Sequence, residues 1–342
     1  MTVLRWTSIH TVGVVANPHA GRGEGAAEAA IASLFEHLAG REIVVCRGSF
    51  ADEVARRSGT ARRAVTVPGA GGPPTAEQSA ARLAAEGVDL MIGIGGDGTL
   101  CDIAAALLAA DSRIPLYGIG IGSSNVGPLV SATGDRIARI DWDRVAPVDV
   151  HGLQAGISGR PLGVAFNDVV CGNTYFATRN GRRVDLAAAD KIRGVERPAT
   201  PRTVCGAGTW LAKNGQRVLS GADLPMEQII ASPLNRVETC AGKAVSGFLS
   251  WGPYVGMHAV VAAASSIMVR TKLSIDDATA AEPLHLCHIG IGPDDLVEVG
   301  GFLPNAVIVI DGNPAHILSP EETLQLRLKQ GAIAVLREIS AS

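Results

Sequence analysis

The chain has 342 residues, which is enough for two domains that each bury a core. A formal charge of -3 gives no overall attraction to nucleic acid or to an anionic membrane surface, so any basic site must be local. The six cysteines are scattered without a Cys-x-x-Cys pair, which fits a reducing cytoplasm better than a disulfide framework. The sequence shows no signal peptide, and Val255–Val269 is too short for a spanning helix, so we expect a cytoplasmic protein without membrane or nucleic-acid partners.

The first part of the chain alternates short apolar runs with Ala-rich segments of helical pattern. We predict strands at Thr11–Ala16, Glu42–Cys46, Ala64–Val67, Leu90–Ile94 and Pro115–Ile119, and helices at Ala26–Leu38, Ala51–Ser58, Thr75–Glu86 and from Thr99 to about Ala110. Such alternation predicts a parallel sheet with helices on both faces. Residues 1–140 are therefore expected to form an α/β nucleotide-binding domain.

Beyond about Asp135 the helical pattern is largely missing. Extended runs are predicted at Val145–Leu153, Leu162–Val170, Gln228–Ala231, Leu284–Ile291, Ala306–Ile310, Leu324–Leu328 and Ile333–Leu336. Asn180-Gly181 and Asn214-Gly215 are strong hairpin-turn signals. We predict a predominantly β domain over residues 141–342, whose final strands, at about 320–342, are candidates for returning to the first domain.

The most informative stretch is Met91–Leu100, where an apolar run ends in Gly95-Gly96-Asp97-Gly98-Thr99 and leads into a helix. Glycines let the backbone approach an anion closely, and the N–H groups that open a helix favour negative charge. A carboxylate beside bound phosphate would be repelled unless it holds a metal ion or takes a proton from an attacking hydroxyl group. The pattern therefore predicts phosphoryl transfer, with Asp97 as the catalytic residue.

Two further glycine-rich loops follow other predicted strands, at Asn17–Gly25 and Gly120–Asn125. The carboxyl ends of parallel strands meet at one edge of a sheet, and ligands bind there. We expect the three loops to form one phosphate and nucleotide site. Its predicted residues are Asn17, Gly95, Gly96, Gly98, Thr99, Ser123, Ser124 and Asn125, with Arg22 as a further candidate.

Other interpretations of this stretch are open. Gly93-x-Gly95-x-x-Gly98 matches the dinucleotide fingerprint, but no acidic residue closes the next strand to bind a ribose hydroxyl. A P-loop is excluded in its usual form because no Gly-Lys-Ser/Thr occurs. Asp97 or Thr99 could also simply cap the helix, a role worth about 1 kcal/mol.

Three groups of polar or charged residues in the second domain are candidates for binding a ligand. Asn167-Asp168 lies inside an apolar run, where a polar pair must find hydrogen-bond partners, face a cleft or mark a turn. Asp311-Gly312 is a weaker candidate, since a hairpin turn explains it equally well. The densest basic patch would bind a second phosphorylated substrate only if it faces the site, and it consists of Arg179, Arg182, Arg183, Lys191, Arg193, Arg197 and Arg202.

The Gly95–Thr99 signature resembles that of the NAD kinase and diacylglycerol kinase superfamily. The longer run from Thr75 through Leu90, followed by Gly95–Thr99 and Asp102-Ile103, is further similar to the NAD-kinase-like acetoin-catabolism protein X group, as is Phe166-Asn167-Asp168 with Gly172-Asn173-Thr174. The likeness extends over most of the chain, and the signature is its only highly specific part.

This resemblance implies an α/β first domain, a β-rich second domain, and a cleft that uses ATP and Mg²⁺, with the ion held through the nucleotide phosphates. By position, Asp97 matches the aspartate that NAD kinases use as a base toward a ribose hydroxyl. Asn167-Asp168 matches their Asn-Glu pair, which contacts the dinucleotide, with Asp in place of Glu. The Gly-Ser-Thr-Ala-Tyr segment that NAD kinases use for the dinucleotide has no copy here.

The expected function is therefore an ATP- and Mg²⁺-dependent kinase that phosphorylates a hydroxyl group of NAD or a related small metabolite, in a homo-oligomer. Asn167 and Asp168 would bind the acceptor, and Asp311 is a further candidate. A nucleotide-binding sensor or scaffold that has lost transfer remains an alternative, because the dinucleotide segment is missing. A lipid kinase is the third, although the sequence shows no clear membrane-facing surface.

Overall fold

The computed structural model describes residues 6–20, 23–122, 125, 127–179, 182–235, 256–271 and 285–339. The chain forms two compact units, the first of Met1–Val150 with Gly331–Ser342 and the second of His151–Gln330. No helix in the described part of the chain is both long and apolar enough to cross a membrane.

The first unit alternates strands with helices along the chain. Its strands are β1 (Thr11–Ala16), β2 (Glu42–Cys46), β3 (Arg63–Val65), β4 (Leu90–Gly95), β5 (Leu116–Gly120) and β6 (Ala132–Thr133), and its helices are α1 (Glu24–His37), α2 (Phe50–Arg57), α3 (Ala76–Ala85) and α4 (Asp97–Ala109). The strands β5, β4, β1, β2 and β3 are neighbours in that order, and all four pairings are parallel. The predicted α/β fold of this region is thus confirmed.

The core of this unit explains its sequence pattern. All six residues of β4 are buried, as expected for a strand of a parallel sheet that is covered on both faces. Ile31 and Leu34 of α1 are fully buried in the same apolar cluster as Ile92 and Ile94 of β4. The helices α2 and α3 begin with side-chain caps, from Ser49 and from a Thr75–Gln78 capping box.

The second unit is predominantly β, as predicted. Its elements are β7 (Val145–Ile157), β8 (Arg160–Ala165), β9 (Val169–Gly172), β10 (Thr174–Arg179), β11 (Arg182–Ala187), α5 (Ala188–Ile192), β12 (Trp210–Lys213), β13 (Gln216–Ser220), β14 (Gln228–Pro233), β15 (Ala259–Ala264), β16 (Leu286–Gly290), β17 (Val297–Gly300), β18 (Val307–Ile310), β19 (Asn313–Ile317) and β20 (Leu324–Glu338), of which β7 begins and β20 ends in the first unit. A six-stranded antiparallel sheet has the order β16-β15-β14-β9-β18-β19.

Both predicted hairpins form, β10 with β11 and β12 with β13, although the tip of the first, Asn180-Gly181, lies outside the described residues. Two strand predictions were wrong. Leu162–Val170 is not one strand, because β8 ends at Ala165 and β9 begins at Val169. The two predicted final strands are instead one continuous strand, β20, whose residue Val335 pairs in parallel with Leu116 of β5.

Candidate active site

Three loops meet at one edge of the first unit because β1, β4 and β5 are adjacent and parallel. Asn17, just after β1, donates its backbone N–H to the carbonyl of Ile94 over 2.9 Å. Ile121, just after β5, donates to the carbonyl of Gly95 over 2.9 Å. The loops predicted to share a site therefore begin side by side at the carboxyl ends of their strands.

Asn17 links the first of these loops to the start of α4. Its side-chain Nδ2 donates to Oγ1 of Thr99 over 3.0 Å, and its Oδ1 accepts the backbone N–H of His19 over 2.9 Å. Thr99 is only 6% exposed, so its hydroxyl group is turned into the structure. The other predicted residue of this loop, Arg22, lies outside the described residues.

The glycines of the signature differ in what surrounds them. A Cβ on Gly95 would lie 2.5 Å from the Cβ of Thr99, so this glycine is required by the close contact of β4 with α4. A Cβ on Gly96 would meet the Cα of Gly122 at 3.6 Å, an ordinary contact. Nothing lies within 4 Å of a Cβ on Gly98, which is exposed. Bare backbone is therefore accessible to a ligand at Gly98.

Helix α4 begins at Asp97, two residues before the predicted start at Thr99. Its N-cap residue is Gly96, and no side chain caps it; α1 likewise begins after Gly23 without a side-chain cap. Uncapped N–H groups at a helix start favour an anion, which distinguishes α1 and α4 from the capped helices α2 and α3. Because Gly96 is the N-cap, the interpretation of Asp97 or Thr99 as the helix cap was wrong.

The Asp97 side chain, which is partly exposed, contacts the loop that follows β5. Its Oδ1 accepts the backbone N–H of Gly127 over 2.9 Å. In the same loop Asn125 has a φ of 53° and donates its Nδ2 to the carbonyl of Gly122 over 2.8 Å. The predicted residues Ser123 and Ser124 lie outside the described residues. The structure thus brings Asp97, Thr99, Asn17 and the described part of the third loop together.

Sequence reasoning missed Arg337, which lies near the end of β20. Its guanidinium group donates to the carbonyl of Val130 over 2.9 Å and also to the carbonyl of Pro128. Both acceptors lie within three residues after Gly127, so Arg337 stabilises the loop that contacts Asp97. No local signal reveals this pairing, because Arg337 and Val130 are 207 residues apart in the chain.

In the second unit Asn167 and Asp168 form the turn between β8 and β9, and both side chains are partly exposed. Asp311 lies just after β18, and its carboxylate accepts backbone N–H groups of this turn. The sequence predicts one extended run over Leu162–Val170 and leaves a turn at Asn167-Asp168 as an alternative. The structure has the turn, and Asp311 holds its backbone.

The basic patch is partly neutralised by its own acidic residues. Lys191 pairs with Glu196 at 2.8 Å, and Asp190 contacts Arg193 at 3.4 Å and Arg197 at 3.5 Å. Arg197 and Arg202 line a surface cavity of about 560 Å³. Exposed ion pairs of this kind contribute little to stability.

Comparisons with known proteins agree with this fold. A family model described as the diacylglycerol kinase catalytic domain matches residues 11–135. A protein of Archaeoglobus fulgidus, described only as uncharacterised, is 30% identical over 335 residues, which cover 95% of this chain and 97% of that protein.

Two solved structures show the fold at low sequence identity. Yeast NADH kinase, complexed with NADH, is 11% identical with a TM-score of 0.55, over 97% of this chain and 84% of the kinase. A diacylglycerol kinase from Bacillus anthracis str. Sterne is 13% identical with a TM-score of 0.53, over 96% of this chain and 97% of that one. Residues 11–135, which include the parallel sheet and the signature loop, thus match the diacylglycerol kinase catalytic domain family and form a kinase-like catalytic domain, and the chain has the fold of the NADH kinase and diacylglycerol kinase structures.

Proposed function

We propose that this protein is a kinase that transfers the γ-phosphoryl group of ATP to a hydroxyl group of NAD or a related small metabolite, giving ADP and a phosphate monoester. The observation that carries the proposal is the placement of Asp97. Its carboxylate stands at the uncapped start of α4, beside the exposed backbone of Gly98, and is held by the N–H of Gly127.

A carboxylate at a site that attracts anions needs a chemical reason, because it repels phosphate. Asp97 has one if it orients the acceptor hydroxyl group and takes its proton as the new P–O bond forms. The backbone of Gly96, Gly98 and Thr99 then binds the phosphates, and Asn17 holds Thr99 in place. Positioning and charge neutralisation would supply most of the rate, as phosphoryl transfer generally requires.

The residues at this edge fit a magnesium ion that arrives with the nucleotide. Among the described residues no group of three or more His, Cys, Asp or Glu side chains is suited to hold a metal. Mg²⁺ is commonly bound by one or two carboxylates together with substrate phosphates, and Asp97 provides one carboxylate. When bound, the ion would neutralise charge on the transferred phosphoryl group.

We assign acceptor binding to Asn167 and Asp168 in the second unit. Their side chains are partly exposed while the backbone of their turn is fixed, which suits residues that orient a ligand. NAD or a related metabolite is proposed as the acceptor because Asn167-Asp168 is similar to the Asn-Glu pair of NAD kinases, while the missing Gly-Ser-Thr-Ala-Tyr segment counts against NAD itself. The narrower likeness to the acetoin-catabolism protein X group stays a prediction.

A lipid kinase is the second candidate, because the family model that matches residues 11–135 describes diacylglycerol kinases. The acceptor distinguishes the two functions. Purified protein is incubated with ATP, Mg²⁺ and, in separate reactions, NAD, NADH, a panel of small hydroxylated metabolites and vesicles that contain diacylglycerol. Phosphorylated products are then identified by mass spectrometry. Phosphatidic acid as the only product would favour the lipid kinase, and ATP binding without any product would favour a sensor.

The role of Asp97 is tested with Asp97→Asn. We expect ATP binding to remain within about threefold and transfer to fall by about 10²- to 10⁴-fold, the usual range for loss of a general base. The matched control is Asp143→Asn, since Asp143 is an exposed aspartate of the same unit. Unchanged turnover in Asp97→Asn would contradict the assignment.

A further inference from the structure

The Asn167-Asp168 turn is held by a single carboxylate from a distant part of the chain. Oδ2 of Asp311 accepts the backbone N–H of Phe166 over 2.8 Å. Oδ1 accepts the N–H groups of Asn167 over 2.7 Å and of Asp168 over 3.0 Å. Three consecutive backbone donors thus converge on one side chain, and each of these charge-assisted bonds is stronger than a neutral one.

The carbonyl groups of the same turn are held as well. The backbone N–H of Asp311 donates to the carbonyl of Asp168 over 2.9 Å. The hydroxyl group of Ser232, in β14, donates to the carbonyl of Asn167. Since β9 lies between β14 and β18, both neighbouring strands take part in fixing the turn that precedes it.

The geometry of the turn between β18 and β19 does not by itself explain why Asp311 is an aspartate and not an asparagine. Asp311 has a φ of 48° and Gly312 a φ of 82°, which are the positive values of a type I′ hairpin turn. Asn-Gly satisfies such a turn as well as Asp-Gly does. What distinguishes Asp311 from an asparagine is that both of its side-chain oxygens accept hydrogen bonds, and here both do.

We propose that Asp311 is a positioning residue that fixes the backbone of Phe166, Asn167 and Asp168 and so presents the acceptor-binding side chains in one orientation. The role in acceptor binding rests on the proposed function, whereas the ordering of the turn does not. Asp311 acts through the turn, because its carboxylate is directed to backbone N–H groups. Its effect is therefore expected on acceptor affinity and not on nucleotide binding.

The conservative variant Asp311→Asn isolates this role. Asparagine keeps the Asn-Gly hairpin turn but places an NH₂ group against at least one backbone N–H, so one donor faces another donor. Hydrogen–deuterium exchange, read by mass spectrometry on peptides that cover residues 160–175, should show protection of the 166–168 amides reduced by about tenfold or more. In the transfer reaction, KM for the acceptor identified by the panel should rise by about tenfold, with ATP affinity within twofold.

Asp295→Asn is the matched control. Asp295 accepts the backbone N–H of Gly292 over 2.7 Å and Nδ2 of Asn214 over 2.7 Å, so its loss removes a comparable carboxylate from another turn of the same unit. It should leave both exchange at 166–168 and acceptor KM unchanged.

Two results would overturn the inference: unchanged exchange at 166–168 in Asp311→Asn, or an equal loss of protection throughout the second unit. If the wild-type protein transfers no phosphate, the proposed function fails, and the exchange data still decide whether Asp311 orders the turn.

Discussion

Nδ2 of Asn17 donates a hydrogen bond to Oγ1 of Thr99 over 3.0 Å, across 82 residues of sequence. This bond joins the end of β1 to the first turn of α4. The two residues are neighbours only because β1 and β4 pair in parallel, with Ala16 opposite Ile94. The signature loop therefore depends on the loop after β1 for its shape.

Replacing Thr99 with Val should weaken nucleotide binding. Valine keeps the shape of threonine but offers no acceptor, so the partly buried amide of Asn17 loses its partner. We expect a loss of about 1 to 3 kcal/mol in the free energy of unfolding and an ATP Kd raised about tenfold, measured by urea unfolding and calorimetry. Thr60→Val is the control, because it removes a solvent-exposed hydrogen bond between the hydroxyl groups of Thr60 and Ser58. Equal effects of Thr99→Val and Thr60→Val would contradict a specific role of the Asn17–Thr99 hydrogen bond in nucleotide binding.

Substitutions of Gly95 and Gly98 should affect different properties: Gly95→Ala should lower protein stability, and Gly98→Ala should weaken ATP binding. Gly95→Ala forces a Cβ to within 2.5 Å of the Cβ of Thr99, so it should destabilise the protein by about 1 to 3 kcal/mol. Gly98→Ala meets no atom within 4 Å and adds a better helix former in α4, so the melting temperature should hold or rise. Its methyl group would nevertheless obstruct a phosphate, and ATP binding should weaken. Normal ATP affinity in Gly98→Ala would contradict the proposal that the Gly98 backbone binds the phosphates of ATP.

The shared edge of β1, β4 and β5 could be predicted because its signals are local. Each strand is a short apolar run, each is followed by a glycine-rich loop, and alternation with helices implies parallel pairing. The start of α4 was predicted two residues late. Asp97 and Gly98 are poor helix formers in isolation, and their helical position depends on contacts such as Asp97 with Gly127.

The remaining features depend on partners far away in sequence. Leu162–Val170 is apolar enough to suggest one strand, and the break at Asn167 follows from Asp311, 144 residues later. The bonds of Arg337 to the loop after β5 likewise need the return of β20 to Leu116. Such long-range hydrogen bonds leave no periodic pattern in the sequence. The residue types at the candidate site could therefore be predicted, but not the hydrogen bonds that hold them in place.

Arg337→Met should reduce transfer without abolishing nucleotide binding. Methionine retains much of the apolar stem but cannot donate to Pro128 and Val130, so the Gly127 N–H that fixes Asp97 becomes less ordered. We expect kcat to fall about tenfold, measured with the acceptor found by the panel, and ATP affinity to change little. Arg144→Met is the control, since Arg144 also donates to a backbone carbonyl of this unit, that of Ile339, over 2.9 Å. A similar fall in kcat in both variants would contradict a specific role for Arg337.

Asp295 should make the stability of the second unit depend on pH. Hydrogen bonds from Lys213, Asn214 and the Gly292 N–H lower the pKa of Asp295 from 3.8 to about 2. Because the pKa is lower in the folded state, the stabilisation is fully present above the unfolded pKa of 3.8 and is lost as the pH falls toward 2. The lowered pKa corresponds to at most about 2.5 kcal/mol, and the partial exposure of Lys213 makes about 1 to 2 kcal/mol the expected value.

The measurement compares wild type with Asp295→Asn by urea unfolding at several pH values from 7 to 2. Asparagine does not titrate, so the difference in unfolding free energy between the two proteins isolates this carboxylate from all others. The difference should be constant above about pH 5 and should shrink by about 1 to 2 kcal/mol between pH 5 and pH 2. Asp294→Asn, at the exposed neighbouring position, is the matched control for the substitution itself. A difference that stays constant down to pH 2 would mean that the three donors do not stabilise the charged form of Asp295.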